Sequence, residues 1–252
     1  MDRMVNDDAV GIIQARLAST RLPGKILAPI AGRTVLLDVL VQRLRSSGID
    51  WWLATTDLPS DDVTAAWGEA LGLQVFRGSE QDVLSRFTGV IELTGADVVV
   101  RVTADNPFTD GGTVRRLLEL LRGADDTITG IRGSGAPRQF PLGFVPEVVR
   151  SSALLELDSA IVDDGSVHRT HVTSAIDQGA FLTYRDDALP SRARWRWTVD
   201  TATDLAMARE AFGVAGSDWA DLDYAGFVAA LDERPDITSM NQGVQQKALE
   251  DG

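Results

Sequence analysis

The sequence contains no cysteine among its 252 residues. A disulfide framework is therefore excluded, and so is a metal site built from thiolates. Histidine is nearly as scarce, because His168 and His171 are the only two. A lone histidine is more often structural than functional, so neither residue indicates a function by itself.

Long hydrophobic runs are absent as well. No apolar run approaches the roughly 18 residues that a membrane-spanning helix needs. Residues 1–8 are polar and short and do not resemble the apolar part of a signal peptide. We therefore expect a cytoplasmic protein without a membrane partner.

Positive charge is the third shortage. Lysine and arginine total 24 against 37 aspartates and glutamates, which gives a formal net charge of -13 and a pI near 4.5. A phosphate-rich polymer would be repelled by a chain this acidic, so we expect no nucleic-acid partner. The length suits one large α/β domain or two small ones.

Short apolar runs alternate with amphipathic stretches over the first half of the chain. The runs predicted as strands are "AVGII", "WWLATT", "LQVF" and "ADVVVRVT". Helical patterns lie between them, and Ser79 is expected to start the helix that precedes the fourth run. This alternation predicts repeated βαβ units around a mostly parallel sheet.

The second half is less regular. Residues 130–147 are rich in glycine and proline and read as an excursion from the domain, either a lid or an arm used in oligomerisation. This segment carries Phe140 and Phe144, which a solvated loop would expose. We expect a partner subunit to cover them, and a loop that folds back on the chain's own sheet is the alternative.

A half-buried strand is predicted in "RARWRWTVD", with Trp195 and Trp197 on one face and Arg196 on the other, polar face. A helix pair follows it. We expect a single domain over residues 9–235 and a mobile polar tail over 236–252.

The stretch "GIIQARLASTRLPGKIL", residues 11–27, places Arg16, Arg21 and Lys25 directly after the first strand. It matches neither the P-loop nor a dinucleotide-binding fingerprint. However, ligands of doubly wound folds bind at the carboxyl ends of strands. Backbone N–H groups and three cations there suit a phosphate group. The alternative is a solvated surface loop with scattered cations.

Two carboxylates also follow predicted strands. Asp105 ends "VVVRVTAD", and Asp200 ends "RWTVD". Together they suit Mg2+, which prefers few protein carboxylates and takes phosphate oxygens as further ligands. The alternatives are a turn residue before Pro107 for Asp105 and a helix N-cap for Asp200.

These segments resemble one known family. "IIQARLASTRLPGK", "ATTD", "VFRGSEQDVLSRF", "VVVRVTADNPFTD", "HVT" and "WTVDTATDL" occur in the order and spacing of the cytidylyltransferases of the spore coat polysaccharide biosynthesis type, relatives of the acylneuraminate and Kdo cytidylyltransferases. The resemblance covers residue 9 to about residue 212. It implies a three-layer α/β/α, Rossmann-like domain of the nucleotide-diphospho-sugar transferase type, with CTP as donor and Mg2+ as cofactor.

The resemblance also implies roles for individual residues. The catalytic residues are Arg16, Lys25, Asp105 and Asp200, of which the two aspartates bind the metal. The nucleotide-binding residues are Gln14, Ala15, Arg16, Ser19, Arg21, Lys25, Thr55, Thr56, Asp57, Arg77, Ser85 and Arg86. The acceptor-binding residues are Thr103, Asn106, Glu147 and His171.

The acceptor side departs from the family pattern. Val145 and Pro146 stand where relatives carry an acidic residue, and Thr170 stands where glutamate is common. We therefore expect transfer of CMP from CTP to a sugar acid or another anionic or hydroxylated small molecule, with release of pyrophosphate. A phosphonate or sugar phosphate acceptor, another nucleoside triphosphate, and a non-catalytic nucleotide-binding subunit remain alternatives.

The resemblance further implies a homodimer. Related enzymes resemble dimers in which the arm at 130–147 reaches across to the partner and borders its acceptor pocket.

Overall fold

The computed structural model describes residues 8–134, 137–163 and 166–246. Parts of the predicted arm (135–136) and of the predicted tail (247–252) lie outside these ranges. The strands of the described part are β1 (Ala9–Gln14), β2 (Pro29–Ala31), β3 (Thr34–Val35), β4 (Asp50–Thr56), β5 (Gln74–Gly78), β6 (Val98–Thr103), β7 (Gly130–Arg132), β8 (Glu147–Arg150) and β9 (Phe181–Thr183).

The helices of the same ranges lie mostly between these strands. They are α1 (Leu36–Leu44), α2 (Asp62–Ala70), α3 (Val83–Thr94), α4 (Gly111–Arg122), α5 (Ser151–Ala160), α6 (Val167–Thr170), α7 (Ala202–Ala215), α8 (Tyr224–Asp232) and α9 (Pro235–Thr238). None of the helices in the described ranges is both long and apolar enough to cross a membrane.

Seven of the described strands form one sheet in the order β5-β4-β1-β6-β8-β7-β9. Strand β8 runs antiparallel to both neighbours, and the other pairings are parallel. Along β6, Val99 faces one buried cluster while Val98 and Val100 face the other. Helices cover both faces, as continuously apolar parallel strands require. The predicted three-layer α/β/α fold with a mostly parallel mixed sheet is confirmed.

Strand order places a crevice beside β1. This strand lies between β4 and β6, so the chain leaves β1 toward one side of the sheet and later returns on the other. Loops diverge at such a point, and the carboxyl ends of the flanking strands line the gap. Because β8 is antiparallel, its first residue, Glu147, lies at the same edge and pairs in register with Arg101 of β6.

The predicted start of α3 at Ser79 is wrong. The N-cap is Asp82, whose carboxylate accepts a hydrogen bond from the Ser85 N–H at 3.0 Å. The Ser79 hydroxyl instead accepts from the Asp82 N–H at 3.1 Å. Both side chains satisfy backbone donors, but the serine closes the turn that precedes the helix.

The predicted covering of Phe140 and Phe144 by a partner subunit is wrong. Each ring is only 1% exposed within this chain. Phe140 stacks on Tyr184 with centroids 5.0 Å apart, and Phe144 packs against Trp197 and Tyr224. The excursion therefore folds back on its own domain, because aromatic residues from the second half of the chain offer these rings a cover.

The segment predicted as an alternating strand is not a strand of the sheet; it forms an isolated parallel bridge between Arg196 and Leu142 of the 130–147 arm. The prediction that Arg196 faces outward is wrong, because its side chain is buried and forms ion pairs with Asp200 and Asp204. The start of the predicted tail is also ordered, since Ile237 and Asn241 are each 1% exposed.

Replacement of Phe144 by alanine should lower the free energy of unfolding by roughly 3–5 kcal/mol, because it leaves a cavity among aromatic rings. The loss should be the same at low and high protein concentration, since the cover is intramolecular. Urea unfolding measures it. Leu93→Ala is the control, because Leu93 is 65% exposed and should change stability by less than about 0.5 kcal/mol. A loss that grows with dilution would contradict this packing.

Candidate active site

The ammonium group of Lys25 lies between the two aspartates that the sequence singled out. Its Nζ donates to Asp105 Oδ2 at 2.6 Å and to Asp200 Oδ1 at 2.9 Å. Lys25 begins a short 3-10 turn after Gly24, whose left-handed backbone (φ 70°) turns the chain back toward the sheet. Asp105 follows β6 and Asp200 precedes α7, so three distant segments meet at one cation.

Burial and charge act in opposite directions at this cluster. Burial disfavours the Lys25 ammonium, but Asp105 and Asp200 together outweigh it and raise the lysine's pKa. Burial likewise favours protonation of Asp200, yet Lys25, Arg21 and Arg196 outweigh that effect and lower the pKa of the carboxyl. Lys25 and Asp200 are therefore both charged at neutral pH.

The other two cations of the first loop differ in position. Arg21 Nη2 lies 3.0 Å from Asp200 Oδ2, so Arg21 and Lys25 both contact a predicted metal ligand. Arg16 Nη1 instead lies 3.2 Å from Glu80 Oε1, and its side chain is 44% exposed. The structure thus brings Arg21 and Lys25, two of the three predicted phosphate ligands, to the aspartates. The third, Arg16, pairs with Glu80 instead.

A cavity of about 390 Å³ opens beside the aspartates. All four residues predicted to bind the acceptor line it, together with both aspartates and two residues of the first loop region. These lining residues are Gln14, Arg16, Thr103, Asp105, Asn106, Glu147, His171 and Asp200.

One wall of the cavity is a polar chain across β1, β6 and β8. Arg101 donates to Glu147 Oε2 at 2.6 Å and to Gln14 Oε1 at 3.1 Å. Thr173 also donates to Glu147 Oε2, at 2.9 Å. Glu147 is therefore held in one orientation by neighbours on the sheet and on the loop after α6.

Another part of the cavity lining requires a glycine at position 143. Its backbone has φ of 88°, and a Cβ there would lie 2.6 Å from Asn106 Oδ1 and 2.7 Å from Thr198 Cβ. Only glycine combines this conformation with so close an approach. Asn106 in turn donates to Thr103 Oγ1 at 2.8 Å, and Thr103 donates to Asp105 Oδ1 at 2.7 Å.

Three of the residues predicted to bind the nucleotide, Thr55, Thr56 and Asp57, are not among the residues that line this cavity and lie at the end of β4. Thr55 and Thr56 are fully buried, and the Thr56 hydroxyl donates to Asp61 Oδ2. Asp61 Oδ1 accepts from the Leu17 N–H at 2.6 Å, so a buried carboxylate ties the first loop to the end of β4. Asp57 is exposed at the surface.

The other residues predicted to bind the nucleotide form contacts with neighbouring residues of the fold. Arg77 donates to the carbonyls of Thr56 and Leu58 and pairs with Asp62. The Ser85 hydroxyl donates to the Asp82 carbonyl at 2.9 Å, in the first turn of α3. Burial lowers the pKa of Arg86 to about 10. Ala15 is buried after β1, and the Ser19 hydroxyl accepts from the Leu22 N–H at 3.4 Å.

The aspartate pair fits a divalent cation. Asp105 Oδ2 and Asp200 Oδ1 already share one positive charge, that of Lys25, so a small cation can contact both. The described residues contain no cluster of three or more histidine, cysteine, aspartate or glutamate side chains suited to a metal. Two carboxylates suit Mg2+ in particular, because it takes further ligands from phosphates and water.

Sequence reasoning missed several residues of this site. Arg101, Arg132 and Arg138 line the cavity, and Arg196 contacts Asp200. For Arg101 a signal existed, since a charge interrupts the apolar run "VVVRVT". For Arg196 the alternating pattern predicted a side chain that faces outward, and this prediction was wrong.

The crevice beside β1, the cationic loop and the carboxylate pair together define an α/β protein of the nucleotidyltransferase class. Comparisons with known proteins agree. The family model described as Cytidylyltransferase matches residues 10–176. The chain belongs to the cytidylyltransferase family of enzymes.

Similar proteins cover either nearly the whole chain or a little less than half of it. The spore coat polysaccharide biosynthesis protein SpsF of Bacillus subtilis (strain 168) is 35% identical over 246 residues, 92% of this chain and 98% of that protein. A 3-deoxy-manno-octulosonate cytidylyltransferase of Syntrophobacter fumaroxidans is 34% identical over 115 residues, 45% of this chain and 46% of that one.

A solved cytidylyltransferase from Leptospira borgpetersenii superposes with a TM-score of 0.82 at 25% identity, covering 96% of this chain and 99% of that one. A CMP:2-keto-3-deoxy-manno-octonic acid synthetase solved with CTP has the same fold, with a TM-score of 0.62 at 18% identity over 82% of this chain and 98% of that one.

Replacement of Lys25 by methionine should destabilise the unligated protein by about 3 kcal/mol at pH 7, because the buried Asp200 and the half-buried Asp105 lose their shared counter-charge. Asp200 has a lowered pKa, so its contribution is present above the ordinary carboxyl pKa of about 4 and is lost as the pH falls through the lowered value. The penalty should therefore be fully present at pH 7 and should shrink only as the pH falls below about 4. Urea unfolding between about pH 2 and pH 8 measures the effect.

Arg33→Met is the matched control, because Arg33 is an exposed cation near the same loop. It should change stability by less than about 0.5 kcal/mol at every pH. An equal penalty for Lys25→Met at about pH 2 and at pH 8 would show that lost packing, and not lost charge, accounts for the effect.

Proposed function

We propose that the protein transfers CMP from CTP to a small anionic or hydroxylated acceptor and releases pyrophosphate. A sugar acid is the favoured acceptor, since the relatives named above include a 3-deoxy-manno-octulosonate cytidylyltransferase and a spore coat polysaccharide protein. The observation that carries the proposal is the Lys25 ammonium shared by Asp105 and Asp200 at the edge of the cavity.

In the proposed site, the metal, the cationic side chains and the acceptor oxygen each have a separate role. Mg2+ bound by Asp105 and Asp200 would neutralise charge on the phosphates and on the leaving pyrophosphate. Lys25, released from the aspartates, and Arg21 and Arg16 would then bind phosphate oxygens. The acceptor oxygen attacks the α-phosphorus in line, and most of the rate enhancement comes from positioning and charge stabilisation.

The acceptor would occupy the cavity. Arg101, Arg132 and Arg138 line it, and guanidinium groups bind carboxylates and phosphates in a two-pronged geometry. Arg132 lies over the Phe181 ring, 4.6 Å from its centroid, which supports the guanidinium from below. An anionic acceptor suits such a wall, whereas Glu147 and His171 offer partners for hydroxyl groups.

A homodimer remains part of the proposal, although the phenylalanines of the arm do not mediate it. Exposed apolar side chains at Leu155, Val162, Val167 and Leu182 offer other candidates for contact. Light scattering decides between the dimer and a 27.2 kDa monomer.

Pyrophosphate release tests the proposed function directly. The full chain is assayed with each of the four nucleoside triphosphates against sugar acids, sugar phosphates and phosphonates. We expect release with CTP, dependent on Mg2+ and on a carboxylate-bearing acceptor. Release with another triphosphate, or with only a phosphate or phosphonate acceptor, would replace the proposed substrates. Nucleotide binding without release in any combination would favour the non-catalytic subunit.

Replacement of Asp105 or Asp200 by asparagine should reduce turnover by roughly 100-fold or more, because several kcal/mol of charge stabilisation is lost. The double variant should be little worse than either single one, since the two carboxylates act as a unit. Steady-state kinetics measure the effect, and Asp218→Asn, on an exposed turn, is the control. Near-normal turnover in either single variant would remove that carboxylate from the mechanism.

A further inference from the structure

Arg196 is a buried arginine that uses three guanidinium nitrogens on three different partners. Its Nη2 donates to Asp200 Oδ2 at 2.7 Å, and its Nε donates to Asp204 Oδ1 at 2.9 Å. Its Nη1 donates to Gln246 Oε1 at 2.8 Å. The planar fork of arginine allows this arrangement, and lysine cannot reproduce it.

The partners behind Arg196 are themselves fixed. Asp204 is fully buried in the first turn of α7, where its Oδ2 accepts from the N–H groups of Asp200 and Thr201. Asn241 donates from Nδ2 to the Arg196 carbonyl at 3.0 Å and to Asp204 Oδ1 at 2.8 Å. Asn241 and Gln246, at the two ends of the C-terminal segment of residues 241–246, therefore both form hydrogen bonds with Arg196.

This arrangement sets the orientation of Asp200. Its Oδ2 accepts from Arg196 and pairs with Arg21, whereas its Oδ1 is turned toward Lys25 and Asp105. The Arg21 side chain is 25% exposed and that of Lys25 is 11% exposed, whereas the Arg196 side chain is 5% exposed and donates to three different partners. Of these three cations that contact Asp200, Arg196 is thus the most buried.

We propose that Arg196 is a positioning residue for Asp200 and that the C-terminal segment, residues 241–246, is part of the active site. Arg196 holds Oδ2 and thereby presents Oδ1 to the cation shared with Asp105. Gln246 holds Arg196 and also lines the acceptor cavity. This inference rests on the proposed metal role of the two aspartates, because hydrogen bonds to ligating carboxylates orient them.

Binding of Mn2+ tests the inference without relying on turnover. The full chain is titrated with Mn2+, followed by electron paramagnetic resonance, in the presence of a CTP analogue whose α,β-bridging oxygen is replaced by a methylene group. Arg196→Lys should weaken Mn2+ binding by about 10–100-fold, the usual effect of losing a partner of a metal ligand. Gln246→Ala should weaken it in the same direction by about 3-fold or more.

Gln245→Ala is the matched control, because Gln245 is the exposed neighbour of Gln246 in the chain. It should leave Mn2+ affinity within about twofold of the wild type. Melting temperatures of all variants separate a local effect from lost stability, since a purely structural role would lower the melting temperature without changing Mn2+ affinity.

The outcomes distinguish the two proposals. If the wild type binds Mn2+ and folded Arg196→Lys binds it within twofold of the wild type, the positioning role is overturned and the metal site stands. If the wild type with analogue binds no Mn2+, the metal site and the positioning role are both overturned. If Arg196→Lys does not fold, equal affinities of Gln246→Ala and Gln245→Ala overturn the role of the C-terminal segment.

Discussion

The contact on which the site depends is the Lys25 ammonium between Asp105 and Asp200. Two carboxylates this close repel each other unless a cation lies between them. The lysine supplies that cation in the unligated protein, and the first loop is thereby tied to two segments that are 80 and 175 residues away in sequence. The same contact explains how an acidic chain holds its cationic first loop against the aspartates. The proposed metal would bind at this position.

The sheet makes this contact possible. Strand β1 separates the two halves of the sheet, so the loop after β1 and the turn after β6 meet at one edge. The antiparallel β8 brings Glu147 to the same edge, opposite Arg101. Behind the edge, the stacked rings of Phe108 and Trp197 and the buried Phe144 support the extended segment that leads to Asp200. Residues 195–200 therefore contribute both to the packing of the aromatic core and to the candidate site.

The first half of the fold was predictable from sequence because βαβ units leave a local signal. "AVGII" and "ADVVVRVT" are continuous apolar runs, as strands buried on both faces must be. Asp105 was also found, since it follows such a run, and Asp200 was found because it ends the alternating segment "RWTVD". Contacts between distant segments left no comparable signal. The burial of Arg196 depends on Asp204 and Asn241, and the cover of Phe140 depends on Tyr184, so a period-2 pattern or a glycine-rich composition could not reveal either.

We propose that Lys25 of the unligated protein gives way to a metal when the nucleotide binds. Anomalous diffraction from crystals grown with Mn2+ and a CTP analogue would locate that metal. We expect one Mn2+ peak within about 2.0–2.3 Å of both Asp105 Oδ2 and Asp200 Oδ1, with Lys25 Nζ moved from the aspartates to a phosphate oxygen. A nucleotide bound with Lys25 still between the two aspartates, and Mn2+ elsewhere or absent, would contradict it.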